Sequence, residues 1–122
     1  LIMSLAYKEN VPDTRESPVR EMVKELKEFG VDVYGYDTFL SKEEIESFDV
    51  KTLDFSFSTG FLLFKKKKCK VDCVIVAVAH DEFKKMKLED IKKFMNDNTV
   101  VIDTRGMFDE EAMKETFYYK AL

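Results

Sequence analysis

Four stretches of the chain have the hydrophobic pattern of β-strands. Residues 1–6, 72–79 and 99–103 are almost continuously apolar, a pattern typical of strands that are buried on both faces. Residues 31–36 alternate instead, as a strand does when its two faces differ. Together these stretches predict a sheet that is covered on both sides.

The segments between the strands carry helix signals. Ser17 and Pro18 predict a helix start, because a hydroxyl cap is followed by proline at the first helical position. Gly30 predicts the end of that helix, because glycine readily adopts the left-handed conformation of a helix stop. Ser41 and Glu44 have the spacing of a capping box and predict a second, short helix.

Three further helices are predicted from apolar spacing, over 59–70, 88–96 and 109–116. We interpret the lysine run 65–68 as the solvated end of the first of them. Strands that alternate with helices predict a three-layer α/β domain, with a mostly parallel sheet and helices on both faces. In such a sheet, ligands bind beyond the carboxyl ends of the strands.

Two cations follow predicted strands directly, Lys8 after the first and Arg105 after the last. They predict an anion site at the sheet edge, and the planar fork of arginine suits a phosphate. Arg15, just before the first helix, adds a third positive charge. The alternative interpretation is that these are ordinary surface cations or ion-pair partners of nearby carboxylates: Asp13, Glu16 and Asp103.

Several other kinds of site are disfavoured. The segment 5–10 contains no glycine, so the dinucleotide fingerprint is absent, and Asp37 is better explained as a turn-forming residue than as a ribose ligand. His80 is the only histidine, and we interpret it as a hydrogen-bonding residue of a strand-end loop rather than a catalytic one. With Cys69 and Cys73 it supplies at most three zinc ligands, so no metal site is predicted.

Composition narrows the class of protein. The 122 residues make one domain, and 20 basic against 24 acidic residues predict no nucleic-acid partner. The longest apolar run, 74–79, is too short to span a membrane, so no membrane partner is expected. Two cysteines point to a reducing compartment, and we expect a soluble cytoplasmic protein. Because Leu1 already lies in a strand-like run, we expect the chain to be a piece of a longer protein.

Four segments share their order and spacing with a known family: Leu5-Ala-Tyr-Lys-Glu-Asn-Val-Pro-Asp-Thr-Arg-Glu-Ser-Pro18, Gly30-Val-Asp-Val-Tyr-Gly-Tyr-Asp37, Asp72-Cys-Val-Ile-Val-Ala-Val-Ala-His-Asp-Glu-Phe83 and Val101-Ile-Asp-Thr-Arg105. The chain resembles the C-terminal, UDP-binding domain of the nucleotide-sugar 6-dehydrogenases, which include UDP-glucose, UDP-N-acetylmannosamine and GDP-mannose dehydrogenases. The resemblance implies that residues 1–122 form one Rossmann-like, UDP-binding domain. Residues 51–70 do not share it closely.

The resemblance implies a part in an NAD-dependent oxidation. Enzymes of this family oxidise the C6 alcohol of a UDP-sugar to the carboxylate, using two NAD and a cysteine thiohemiacetal. Their N-terminal NAD domain and helical middle domain are absent here, so NAD is expected to bind mainly outside these residues and the isolated chain to be inactive. The expected partners are a UDP-sugar, the remaining domains of the parent dehydrogenase, and further subunits in a dimer or higher homo-oligomer. Segments 9–13 and 77–83 look most like the UDP-N-acetylhexosamine branch, with UDP-glucose as the other candidate substrate.

The resemblance also assigns roles to single residues, none of them catalytic. Tyr7 and Lys8 match an aromatic–lysine pair that contacts the UDP-sugar, and Arg105 matches an arginine that reaches substrate, typically that of the neighbouring subunit. Arg15 matches an arginine that reaches toward NAD. Ser4 replaces the usual glycine, which either crowds the substrate or adjusts packing. That replacement favours the alternative function, a non-catalytic remnant or assembly module that keeps the fold without binding nucleotide.

Overall fold

The computed structural model describes residues 1–15, 17–52, 55–58, 61–64, 70–93 and 95–122. Within them, the strands are β1 (Ile2–Met3), β2 (Tyr34–Tyr36), β3 (Lys51–Thr52), β4 (Phe55–Ser58), β5 (Phe61–Phe64), β6 (Val71–Val76), β7 (Met95–Asp103) and β8 (Tyr118–Ala121). The helices are α1 (Val19–Glu28), α2 (Lys42–Glu46), α3 (Asp81–Lys84), α4 (Leu88–Lys92) and α5 (Glu110–Thr116). None of these helices is long and apolar enough to cross a membrane.

Among the described residues, six strands form one sheet in the order β3-β2-β1-β6-β7-β8, and every neighbouring pair is parallel. β4 and β5 form a separate antiparallel pair. With that pair set aside, the chain runs outward from β1 in one direction and then outward from β6 in the other. This is the strand order of a doubly wound sheet, and it confirms the Rossmann-like fold. The direction reverses between β1 and β6, so the crevice typical of such sheets lies at their carboxyl ends.

Two apolar clusters cover the two faces of the sheet. Ile2 of β1 packs with Val23 of α1 and Ile45 of α2. Met3, the next residue of β1, packs in the opposite cluster, which contains Phe83 of α3, Ile91 of α4 and Met113 of α5. Successive strand residues point to opposite faces, so neighbours such as Ile2 and Met3 serve different layers. The predicted three-layer architecture is therefore confirmed.

The predicted helix ends are present, except that α1 begins one residue later than predicted, at Val19, with Pro18 as its N-cap residue. The Ser17 hydroxyl accepts a hydrogen bond from the Val19 N–H at 3.3 Å and donates one to the Leu5 carbonyl at 2.8 Å, which fixes the start of α1 against the chain leaving β1. Gly30 follows α1 with a φ of +79°, where a side chain would be strained. Ser41 and Glu44 form both hydrogen bonds of the capping box at the start of α2.

The helix predicted over 59–70 is wrong where the structure describes it. Residues 61–64 form β5, in which Phe61 pairs with Ser58 and Phe64 pairs with Phe55. The alternation of phenylalanine and serine in β4 has a period of two, and phenylalanine is a better strand former than helix former. Residues 59, 60 and 65–69 of that predicted helix lie outside the described residues.

The helix predicted over 88–96 is too long. α4 ends at Lys92, and Met95 begins β7, where it pairs with Val71 and remains buried. A buried apolar residue such as Met95 is compatible with a helix or with a strand, so apolar spacing could not show where α4 ends and β7 begins. β3 and β8 were not predicted, because short edge strands carry too few residues to show a period.

Candidate functional site

The chain leaving β1 crosses the carboxyl end of β6. The Asn10 N–H donates to Nδ1 of His80 at 2.8 Å, and the Asp81 N–H donates to the Asn10 side-chain oxygen at 2.9 Å. The Tyr7 N–H donates to the Asp13 carbonyl at 2.6 Å, which closes the loop on itself. We call residues 7–10 the crossing loop. It lies at the point of the sheet where the strand order reverses.

Tyr7 and Lys8 project from the crossing loop into solvent. Tyr7 is 45% exposed, and the Lys8 ammonium lies 5.9 Å from the centre of its ring. Lys8 forms no ion pair with any residue that the structure describes. The positive charge predicted at the end of the first strand is therefore available to a ligand.

Arg15 is placed differently from Lys8. Its Nε lies 3.2 Å from Oδ1 of Asp13, in an exposed ion pair. The side-chain hydrogen bond from Arg15 lowers the pKa of Asp13, and the same bond raises the pKa of Arg15. The alternative interpretation, a pair with a nearby carboxylate, thus describes Arg15. Arg15 still lines an open groove of about 570 Å³ with residues of the same loop: Lys8, Val11, Pro12, Asp13 and Thr14.

Arg105 stands on a turn that is fixed by buried polar groups. The fully buried Asp103 accepts hydrogen bonds from the Arg105 N–H at 3.2 Å and the Phe108 N–H at 3.0 Å. The Thr104 hydroxyl donates to the Val76 carbonyl at 2.6 Å, which ties the turn to the end of β6. The Arg105 side chain is exposed and has no ion-pair partner in the described part of the chain.

Lys8 and Arg105 are therefore carried on separate loops, one on each side of the carboxyl end of β6. Because all the strands of the sheet are parallel, both loops lie at the same edge. The structure brings the two predicted cations to one edge of the sheet, as expected from their position after strands.

A buried cluster that the sequence did not reveal lies directly beneath this edge. Asp37, 2% exposed, accepts hydrogen bonds through Oδ2 from the Leu5 N–H at 2.8 Å and the Ala6 N–H at 3.0 Å. Its Oδ1 accepts from the Phe39 N–H at 2.9 Å, which is the predicted turn-forming contact, and lies 3.1 Å from Nε2 of His80. Burial acts to raise the pKa of Asp37, but the hydrogen bonds from His80, Phe39 and Leu5 outweigh it and hold that pKa below its usual value.

The hydrogen bonds of His80 define the protonation state of its ring. Nδ1 accepts from the Asn10 N–H, and a backbone N–H only donates, so Nδ1 carries no proton. Nε2 then carries the proton and donates toward Asp37. His80 is completely buried and packs against the rings of Phe39 and Phe83. The interpretation of His80 as a hydrogen-bonding residue of a strand-end loop is confirmed.

Ser4 lies in the same cluster. Its φ of +77° is in the left-handed region, which fits the glycine that the resemblance implies at this position. The side chain is fully buried, with its hydroxyl 3.2 Å from Oδ2 of Asp37 and 3.0 Å from Nε2 of His80. The hydroxyl thus contacts buried groups of the chain itself, which favours adjusted packing over crowding of the substrate.

Within the described ranges, no group of three or more histidine, cysteine or acidic side chains is arranged to hold a metal ion. Cys73 is a half-buried free thiol whose pKa is raised, chiefly by burial. Cys69 lies outside the described residues.

Comparisons with known proteins find a matching family model and several similar proteins. Residues 1–110 match the model of the UDP-glucose/GDP-mannose dehydrogenase family, UDP binding domain. The chain is 31% identical over 112 residues to a UDP-N-acetyl-D-glucosamine 6-dehydrogenase of Pseudomonas aeruginosa, covering 91% of this chain and 24% of the relative. It is 34% identical over 116 residues to a UDP-N-acetyl-D-mannosamine dehydrogenase of Methanococcus maripaludis, covering 93% and 24%.

A solved structure is also similar. It is a UDP-D-ManNAc dehydrogenase from Pyrococcus horikoshii, with a TM-score of 0.60 and 25% identity, over 98% of this chain and 24% of that one. The chain thus spans about a quarter of the length of the relatives it matches.

Proposed function

The chain belongs to the UDP-glucose/GDP-mannose dehydrogenase family, which its match over residues 1–110 shows, and we propose that it binds the UDP part of a UDP-sugar in an NAD-dependent UDP-sugar 6-dehydrogenase. The observation that carries this proposal is the placement of Lys8 and Arg105. Both are exposed, neither has an ion-pair partner among the described residues, and they flank the end of β6 at the edge where doubly wound sheets bind ligands.

The chemistry of the two cations suits a diphosphate. Arg105 holds an oxyanion with two parallel donors, and Lys8 supplies a flexible point charge. The turn that carries Arg105 is fixed by Asp103, so little ordering is needed when a ligand binds. Tyr7 adds an exposed aromatic face beside Lys8, which suits contact with a sugar or a base.

The residues of this chain do not fit a dinucleotide site of their own. No glycine lies between β1 and α1, and the Asp37 carboxylate is engaged in buried hydrogen bonds rather than available to a ribose. We therefore assign NAD mainly to the rest of the parent enzyme, with Arg15 reaching toward it from the edge of this domain. The resemblance supports that role for Arg15.

This domain contributes binding rather than chemistry. Hydride transfer needs NAD, and oxidation to the acid needs an activated thiolate. Burial raises the pKa of Cys73, which keeps that thiol protonated at neutral pH. The isolated chain accordingly produces no NADH from a UDP-sugar. The names of the relatives support a UDP-N-acetylhexosamine as the substrate of the parent enzyme.

We further propose that the parent enzyme is a cytoplasmic homo-oligomer in which Arg105 reaches the substrate of a neighbouring subunit. The resemblance supports the assembly, and the low cysteine count supports the compartment.

The test is a titration of the 122-residue chain with UDP, followed by two-dimensional NMR so that millimolar affinities are visible. We expect saturable shifts at residues 7–10 and at Gly106, weakened by Lys8→Ala and by Arg105→Ala. Lys24→Ala, an exposed lysine on α1, is the matched control and should bind as the unchanged chain does. Absence of saturable shifts would instead favour the alternative function, a remnant or assembly module that does not bind nucleotide.

A further inference from the structure

We propose that His80 is a positioning residue for the UDP site: its neutral ring holds the far end of the crossing loop and so orients Tyr7 and Lys8. This inference rests on the proposed function of that loop. His80 itself is fully buried, so it acts on the site through the loop.

One buried carboxylate fixes both ends of the crossing loop. At the near end, Oδ2 of Asp37 accepts from the N–H groups of Leu5 and Ala6 at 2.8 and 3.0 Å. At the far end, Asp37 holds Nε2 of His80, and Nδ1 of the same ring accepts from the Asn10 N–H at 2.8 Å. The loop between these anchors carries Tyr7 and Lys8. The bonds made by Asp37 are buried, so they do not compete with water and hold their geometry, whereas the bond from Asn10 to His80 is partly buried.

The far anchor consists of two hydrogen bonds, and His80 accepts one of them. Asn10 has a positive φ of 60°, a conformation that a non-glycine residue keeps only when its surroundings hold it. Its N–H contact to His80 and its side-chain contact to the Asp81 N–H join it to the start of α3. Without the Nδ1 acceptor, the Asn10 N–H loses its partner, and one of the two bonds that hold the far end of the loop is lost.

Two isosteric substitutions separate this role from the packing of the ring. In His80→Asn, the amide oxygen reaches the position of Nδ1 and can accept from Asn10, while the donor to Asp37 is lost. In His80→Gln, the amide nitrogen reaches the position of Nε2 and donates to Asp37, while the acceptor for Asn10 is lost. Both variants lose the ring contacts with Phe39 and Phe83, so the effect of those contacts is common to both and cancels in the comparison.

We expect His80→Gln to raise the dissociation constant for UDP roughly threefold to tenfold above that of His80→Asn, the effect of one net hydrogen bond. Hydrogen exchange of the Asn10 amide should likewise be faster in His80→Gln than in His80→Asn. Equal affinities together with equal exchange rates would overturn the proposal.

The exchange measurement needs no ligand, so it tests the anchoring of the loop by His80 separately from the binding of UDP. If the unchanged chain binds no UDP but Asn10 exchanges faster in His80→Gln, the proposed function fails and the anchoring of the loop stands.

A further measurement on the unchanged chain covers the case in which both variants unfold. As His80 is the only histidine, its ring nitrogens are assigned directly by NMR. We expect a proton on Nε2 and a scalar coupling across the hydrogen bond from Asn10 to Nδ1, and a proton on Nδ1 would refute the proposal.

Discussion

The Tyr119 hydroxyl donates a 2.7 Å hydrogen bond to Oδ2 of Asp103, and through that carboxylate the edge strand β8 supports the turn that carries Arg105. The same oxygen accepts from the Phe108 N–H, so one donor from β8 and one from the segment after the turn hold the carboxylate. Burial and the hydrogen bond to Asp103 both raise the pKa of Tyr119, which keeps the hydroxyl a donor throughout the physiological range.

Tyr119→Phe should lower the free energy of unfolding by about 1–2 kcal/mol, because it removes a donor from a buried carboxylate. Tyr118→Phe is the matched control, since Tyr118 lies on the same strand and is 76% exposed. Urea denaturation of both variants measures the difference. Equal stability of the two would show that the Tyr119 hydroxyl contributes nothing to the turn.

Substitutions at Ser4 should separate backbone strain from hydrogen bonding. Ser4→Ala loses the hydroxyl contacts and keeps a strained φ, whereas Ser4→Gly loses the contacts and relieves the strain. We expect the glycine variant to be more stable than the alanine variant by about 1 kcal/mol in chemical denaturation. Gly30→Ala tests the same backbone effect alone, since nothing lies within 4 Å of a Cβ built there. An alanine variant as stable as the glycine variant would contradict the left-handed assignment.

The Asp37 carboxylate should make stability fall in acid. Its pKa is lower in the folded chain than in the unfolded one, so its contribution is complete above the unfolded value of about 4 and is lost as the pH falls through the folded value. Asp37→Asn should therefore be destabilised most at neutral pH, by about 2–3 kcal/mol, with the gap to the unchanged chain narrowing below pH ~4.

Urea denaturation from neutral pH to pH ~3 measures that gap. Asp49→Asn serves as the control, because Asp49 is an exposed carboxylate in a surface pair with Lys27. A gap that stays constant over the whole range would mean that Asp37 is not ionised in the folded chain.

Arg105→Lys should restore only part of the UDP affinity that Arg105→Ala loses. The loss in the alanine variant should be roughly tenfold to a hundredfold, as for a charge-assisted hydrogen bond. Lysine keeps the charge and loses the two parallel donors. Calorimetric titration of both variants decides the point, and full recovery with lysine would indicate that charge alone is recognised.

Arg15→Ala and Lys8→Ala should weaken the binding of different substrates. In the parent enzyme, steady-state kinetics with each substrate varied in turn should show a raised KM for NAD in the first variant and a raised KM for the UDP-sugar in the second. Arg15 lines the same groove as Lys8 but is paired with Asp13, so we expect its removal to leave the KM for the UDP-sugar unchanged. A raised KM for the UDP-sugar in Arg15→Ala would place that residue in the sugar-nucleotide site instead.

Local signals in the sequence predicted the features that depend on neighbouring residues. The capping box of Ser41 and Glu44 and the helix stop at Gly30 were readable because each rests on contacts within a few positions of the chain. The apolar runs of β6 and β7 were readable because strands buried on both faces need them. Lys8 and Arg105 could be placed at one edge of the sheet from their positions after two such strands.

Tertiary structure alone decided which buried polar groups meet. Asp37 and His80 are 43 positions apart, and both reach the end of β1 only because β2 and β6 pair on either side of it. The hydrogen bond of Tyr119 could not be predicted from the sequence for the same reason, since the carboxylate that it binds belongs to a neighbouring strand. β5 and the early start of β7 were mispredicted as helix because a short apolar run does not by itself distinguish a helix from a strand. For the contacts of Asp37 with His80 and of Tyr119 with Asp103 the physical reason is the same: spacing along the chain reports which residues turn inward, whereas the partner of an inward-facing group depends on the order of the strands.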